Sequence, residues 1–138
     1  MAYNLYPTGT CFDDALELLQ KLALETPRWK WNDEICLVHA LCVGGDGELF
    51  AHAWVEQKGA VWHSGILNGE KGYAQINRDE YYKEMGAQEI TRYTIRQAAL
   101  ENKRTMNFGP WKKKYFVKTR TYHRNPEMEL PVYLRDEP

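Results

Sequence analysis

Two residues in this chain have the types to cooperate as a nucleophile and its base: the thiol of Cys11 and the imidazole of His52. A thiol attacks as its anion, and that anion is favoured at the first turn of a helix, where free main-chain amides and the helix dipole meet negative charge. The residues after Cys11 predict such a helix. Phe12, Ala15, Leu16, Leu19, Leu22 and Ala23 recur at helical spacing, while Asp13, Asp14 and Glu17 crowd the start. Thr10 has the type and place of its N-cap. The competing reading of Cys11 is a small buried apolar residue beneath the helix. His52 lies in Phe50-Ala51-His52-Ala53-Trp54-Val55-Glu56, where alternation puts His52, Trp54 and Glu56 on one strand face and Ala51, Ala53 and Val55 on the other. A cysteine at a helix tip facing a histidine on a central strand suits thiol attack with general-base help. The alternative for His52 is a hydrogen-bonded core or surface histidine.

The elements that must position these residues follow from pattern and punctuation. The first helix ends near Glu25, because Thr26 precedes Pro27 and is pushed out of the helical region, and the loop PRWKWND follows. Glu34 to Val43 reads as a buried strand, closed by Gly44, Gly45, Asp46 and Gly47. Phe50 to Gln57 and Ala60 to Ser64 are two further strands joined by a hairpin at Lys58 and Gly59, giving an antiparallel meander. Asn77 and Glu80 form a capping box for a short helix carrying Tyr81, Tyr82 and Met85 and ending at Gly86. Glu89 to Tyr93 reads as a strand, and Thr94 with Gln97 opens a helix from Ile95 to about Met106, broken by Gly109 and Pro110. A last strand is expected over Tyr115 to Tyr122, before an irregular end at Pro126 and Pro131. The order helix, three strands, helix, strand, helix, strand is that of one α+β domain over residues 1–138.

The ordered set Cys11, Leu37-Val38-His39, Ala51-His52-Ala53-Trp54-Val55-Glu56, Tyr81-Tyr82, Tyr93-Thr94 and Gly109-Pro110-Trp111 resembles the papain-like and transglutaminase-like cysteine hydrolases. More narrowly, it resembles small, often phage-encoded proteins of that superfamily. The resemblance implies an N-terminal helix carrying the cysteine on an antiparallel sheet, with Cys11 as nucleophile and His52 as base toward an amide, peptide or isopeptide bond. It also implies a third group that orients the imidazole, and the matching segment is Val61-Trp62-His63-Ser64, which has no acid. His63 stands in that place, and Asn68 or Asp79 could substitute. Loss of the orienting group of a triad can cost about 10⁴ in rate. A degenerate member that binds or inhibits without catalysis is therefore a second reading. Trp54, Trp62 and Trp111 are candidates for a substrate-binding cleft wall.

Composition narrows the remaining classes. The net charge of −1 over 138 residues excludes a generally polybasic chain, but residues 1–110 carry −4 and residues 111–138 carry +3. Within that basic end, Trp111 to Arg120 interleaves cations with aromatics. It reads first as an edge strand guarded by lysines, and second as a nucleic-acid surface using Lys112, Lys113 and Lys114. The expected partner is a peptide or protein substrate. No leader-like start or membrane-length apolar run is present, so a cytosolic protein without a membrane partner is expected. The glycines after the first strand lack the helix and Lys-Ser/Thr of a phosphate loop, and no cofactor is expected. Three cysteines fit neither a disulfide framework nor a zinc site, so at least one thiol is free. Cys36 and Cys42 are expected to share one strand face as buried thiols, and His39 to be a hydrogen-bonded structural residue. No HxH or HExxH pair supports a metal at His39, His52 and His63.

Overall fold

A computed structural model describes residues 11–67 and 70–116. Helix α1 (Cys11–Glu25) is followed by a 3-10 turn (Arg28–Lys30), the single turn α2 (Trp31–Glu34) and strands β1 (Ile35–Val43), β2 (Leu49–Gln57), β3 (Ala60–Leu67) and β4 (Glu70–Asn77). Then come α3 (Arg78–Met85), β5 (Gln88–Tyr93), α4 (Ile95–Thr105) and a 3-10 turn (Lys113–Tyr115). The five strands form one antiparallel sheet in the order β4-β3-β2-β1-β5, with the N-terminal helix packed against it.

Local chemistry sets these elements. Lys58 and Gly59 both have positive φ, 50° and 82°, as a two-residue hairpin following the right-handed twist of its strands requires. The Asn77 side chain accepts the Glu80 amide, and the Gly86 cap is left-handed, so α3 is bounded as its sequence predicts. Thr94 and Gln97 complete a reciprocal capping box at the start of α4.

Alternation divides β1 and β2 between two cores. Leu37, Ala53 and Val55 meet Leu16, Leu19 and Leu22 of α1 and Ala98 of α4. Val38, Ala40, Cys42, Phe50 and Trp54 meet Tyr81 and Met85 on the opposite side, under α3. Each buried leucine contributes about 1.5–3 kcal/mol, so the α1 face is a main source of stability. Cys42 and the half-buried Cys36 do share a face, the one under α3.

Four expectations need correction. The segment read as one strand ending at Ser64 runs to Leu67 and pairs along its length with β4, a strand absent from the sequence reading. Glycine at 65 and 72, facing each other across this pair, blurs the alternation that signals strands. The loop before β1 contains helical turns, held in part by Trp31, whose indole donates to the carbonyls of Ala23 and Thr26 at 3.2 and 3.0 Å. Tyr115 lies in a 3-10 turn capped by Phe116 rather than in a strand; residues 117–122 of the expected strand, Thr10 and Asn68 lie outside the described residues. Finally, the His39 imidazole is not hydrogen-bonded among the described residues. Both ring nitrogens lack a partner among the described residues, because Phe12, Tyr93, Trp111 and Tyr115 enclose the imidazole with rings.

Gly109 closes that enclosure. Its φ is +106°, and a Cβ built there would stand 2.8 Å from Cε1 of His39. Gly109→Ala is expected to cost about 2–4 kcal/mol in urea unfolding, whereas Gly45→Ala, with open space around it, should stay within about 0.5 kcal/mol.

Burial pushes the His39 pKa from 6.5 down to about 3. The unfolded chain therefore binds this proton near pH 6.5, and the folded chain only near pH 3. Stability from this residue is complete above pH 6.5 and is lost as pH falls toward 3, by on the order of several kcal/mol. Unfolding free energies from pH 7 to 4 should fall less steeply in His39→Leu than in the parent, and equal slopes would contradict the assignment.

Candidate active site

A strand buried on both faces must satisfy its polar side chains internally. On β2 the face under α3 carries His52 and Glu56, 1% and 4% exposed, and consecutive tyrosines of α3 meet them. The Tyr81 hydroxyl lies 2.9 Å from Nε2 of His52 and 2.8 Å from Nδ1 of His63 on β3. A phenol carries one hydrogen, so with neutral rings one imidazole accepts from Tyr81 and the other donates to it. The Tyr82 hydroxyl donates to Oε2 of Glu56, which also accepts Nε1 of Trp54 at 3.1 Å. Arg92 Nε stands 3.5 Å from the other carboxylate oxygen, and Arg78 is 3.9 Å away. Burial, reinforced by Glu56, pushes the Tyr82 pKa up. The shared face of His52, Trp54 and Glu56 is thus as alternation predicts.

Cys11 is the first residue of α1 and is 5% exposed. Burial pushes its thiol up to about 12. Main-chain hydrogen bonding at Ala53 and Phe12 pulls the other way, and the charges of Asp14 and Asp13 add to the rise. The contact with Ala53 sets the sulfur beside the residue that follows His52. The sheet makes this approach possible: among the described residues β3 pairs with β2 only through Ala60, Val61 and Trp62. Past that point the start of α1 comes against β2, and Tyr73 of β4 donates its hydroxyl to the Asp14 carbonyl at 3.4 Å. Among the described residues the thiol makes no hydrogen bond to an imidazole.

The other expected site residues are distributed as follows. His63 shares the face of His52, but its partner is Tyr81, which stands between the two rings. Asp79 is exposed in the first turn of α3. His39 belongs to the α1 face, so the three histidines do not converge. Trp54 is buried under α3, whereas Trp62 and Trp111 pack against the α1 core, so the sheet separates them instead of gathering one wall. In the basic segment Trp111 packs on His39, and Tyr115 is buried with its hydroxyl 2.5 Å from the Glu89 carbonyl and 2.6 Å from the Thr91 hydroxyl. A cleft of about 170 Å³ opens elsewhere, lined by Cys36, Glu56, Lys58, Arg78 and Arg92, and it includes neither Cys11 nor His52.

Tyr81 is the member that sequence reasoning missed as a partner of His52. The N-cap bond of Asn77 to the Glu80 amide fixed the register of α3 and so the residue's place on the helix, but not which strand residue its hydroxyl would reach. Comparison of the chain with family models, curated proteins and solved structures finds no match.

Removing the shared hydroxyl leaves two buried imidazoles facing a bare ring edge. Tyr81→Phe is therefore expected to lower unfolding free energy by about 2–4 kcal/mol at pH 7.5, measured by denaturant titration; a change below about 0.5 kcal/mol would contradict the bridge.

Proposed function

We propose that this α+β protein is a thiol-dependent hydrolase or acyltransferase of papain-like or transglutaminase-like type, acting on an amide, peptide or isopeptide bond. The observation that supports the reading is the contact of Cys11, at the start of α1, with the main chain of Ala53, the residue that follows His52, whose Nε2 is held by Tyr81. With Nε2 engaged, Nδ1 is the nitrogen of His52 that takes the thiol proton. The resting pair is neutral, since burial keeps the thiol protonated. Proton transfer to His52 accompanies attack of sulfur on the carbonyl carbon, and main-chain amides at the helix start stabilise the oxyanion. The imidazolium then protonates the leaving amine, and water or a second amine releases the acyl group from the thioester. Tyr81, backed by His63, takes the orienting place that a carboxylate or amide fills in such enzymes.

The burial of Cys11 favours a second reading, a binding or inhibitory protein on the same scaffold without turnover. Reaction with an activated aryl ester at pH 7.5 separates the two. Catalytic chemistry predicts a Cys11 acyl adduct by intact mass and peptide mapping, formed at least tenfold more slowly in His52→Ala. A folded protein with no adduct, or with equal rates in parent and variant, overturns the hydrolase reading.

A further inference from the structure

We infer that His52, Tyr81 and His63 form a proton wire, so that the two imidazoles take up one proton between them and His63 can hold it. The inference deepens the hydrolase reading by naming where the thiol proton goes, and its catalytic arm rests on that reading. The geometry fixes the hydrogen count. Two ring nitrogens contact one phenol oxygen at 2.9 and 2.8 Å, and that oxygen brings a single hydrogen. For Nδ1 of His52 to accept a proton, His52 must carry its own hydrogen on Nε2. That N–H then donates to Tyr81, and the Tyr81 O–H donates to Nδ1 of His63.

The direction of this chain is therefore dictated by the base. When the thiol S–H bond breaks, its electron pair stays on sulfur and the proton binds Nδ1 of His52. The Nε2 proton passes to Tyr81, and the tyrosine's own proton passes to Nδ1 of His63. The products are a cysteine thiolate, a neutral His52 hydrogenated at Nδ1, and a His63 imidazolium. Reversal of both shifts returns the proton to His52 for the leaving amine. One added proton on either ring leaves Nδ1 of His52 occupied, so a single uptake silences the base. A second uptake must place two positive charges on rings whose centroids are 6.1 Å apart in a buried site.

The groups on this face that bear on the titration are few. Among the described residues they are His52 and, further along, Glu56 from β2; Tyr81 and Tyr82 from α3; and the thiols of Cys42 and Cys36 from β1; β4 presents Ala74 opposite His63 and Ile76 beyond it. Glu56 is already engaged by Trp54, Tyr82 and Arg92.

Long-range proton–nitrogen NMR of ¹⁵N-histidine protein across pH 4.5–8.5 reads the tautomer and charge of each ring without any substrate. The wire predicts that His52 and His63 titrate at one shared midpoint, each with part of the full imidazolium shift. It further predicts that Tyr81→Phe splits them into two independent, full-amplitude titrations. Full-amplitude titrations at different midpoints in the parent overturn the wire. Should Tyr81→Phe fail to fold, His63→Gln serves: His52 alone must then show the full shift. For catalysis, His63→Gln should move the acid limb of Cys11 acylation, and an unmoved limb overturns the role of His63. Absence of acylation in the parent together with a shared midpoint would retire the hydrolase reading and leave the wire intact.

Discussion

A strand covered on both faces has no solvent to meet the polar atoms it carries, and the middle of this protein is organised around that constraint on β2. Its α1 face puts Ala53 and Val55 in the leucine core. Its α3 face carries an imidazole and a carboxylate, each hydrogen-bonded by one of two consecutive tyrosines, the imidazole through Nε2. An unmet buried polar group costs about 1–3 kcal/mol, so α3 must dock with Tyr81 at His52 and Tyr82 at Glu56 or lose both gains together. The caps at Asn77 and Gly86 hold the helix to the length and register that this requires.

The same constraint has opposite outcomes at the other two buried imidazoles. His63 shares the hydroxyl that serves His52, whereas the His39 imidazole, on the other side of the sheet, meets aromatic rings and no hydrogen-bond partner among the described residues. His39 thus remains neutral and acts as an aromatic packing piece, closed in by Gly109 and Trp111. One histidine-bearing face has hydrogen-bonded chemistry; the other has a lid.

Much of the fold was legible because its signals are local. The helix caps, the positive-φ hairpin at Lys58 and Gly59, and the alternation of His52, Trp54 and Glu56 depend on neighbours within a few residues. What was not legible depends on partners far apart in the chain. Tyr81 lies 29 positions from His52 and 18 from His63, and nothing local reports that its hydroxyl bridges them. Likewise, β4 was hidden by Gly72 and by short apolar runs, and the rings around His39 come from α1, β5, the connection after α4 and the last 3-10 turn. Cys11 illustrates the mixture: its place at a helix start follows from periodicity, but the burial that raises its thiol follows from packing against β2.

The α3 face depends on one hydroxyl held between two imidazoles. The most direct measurement is proton NMR of the Tyr81 hydroxyl itself. A hydroxyl so held gives a resolved, downfield resonance, protected from exchange with water, that cross-relaxes to ring protons of both His52 and His63. A Tyr81 hydroxyl in rapid exchange with water, or one that sees only a single histidine, would contradict that arrangement.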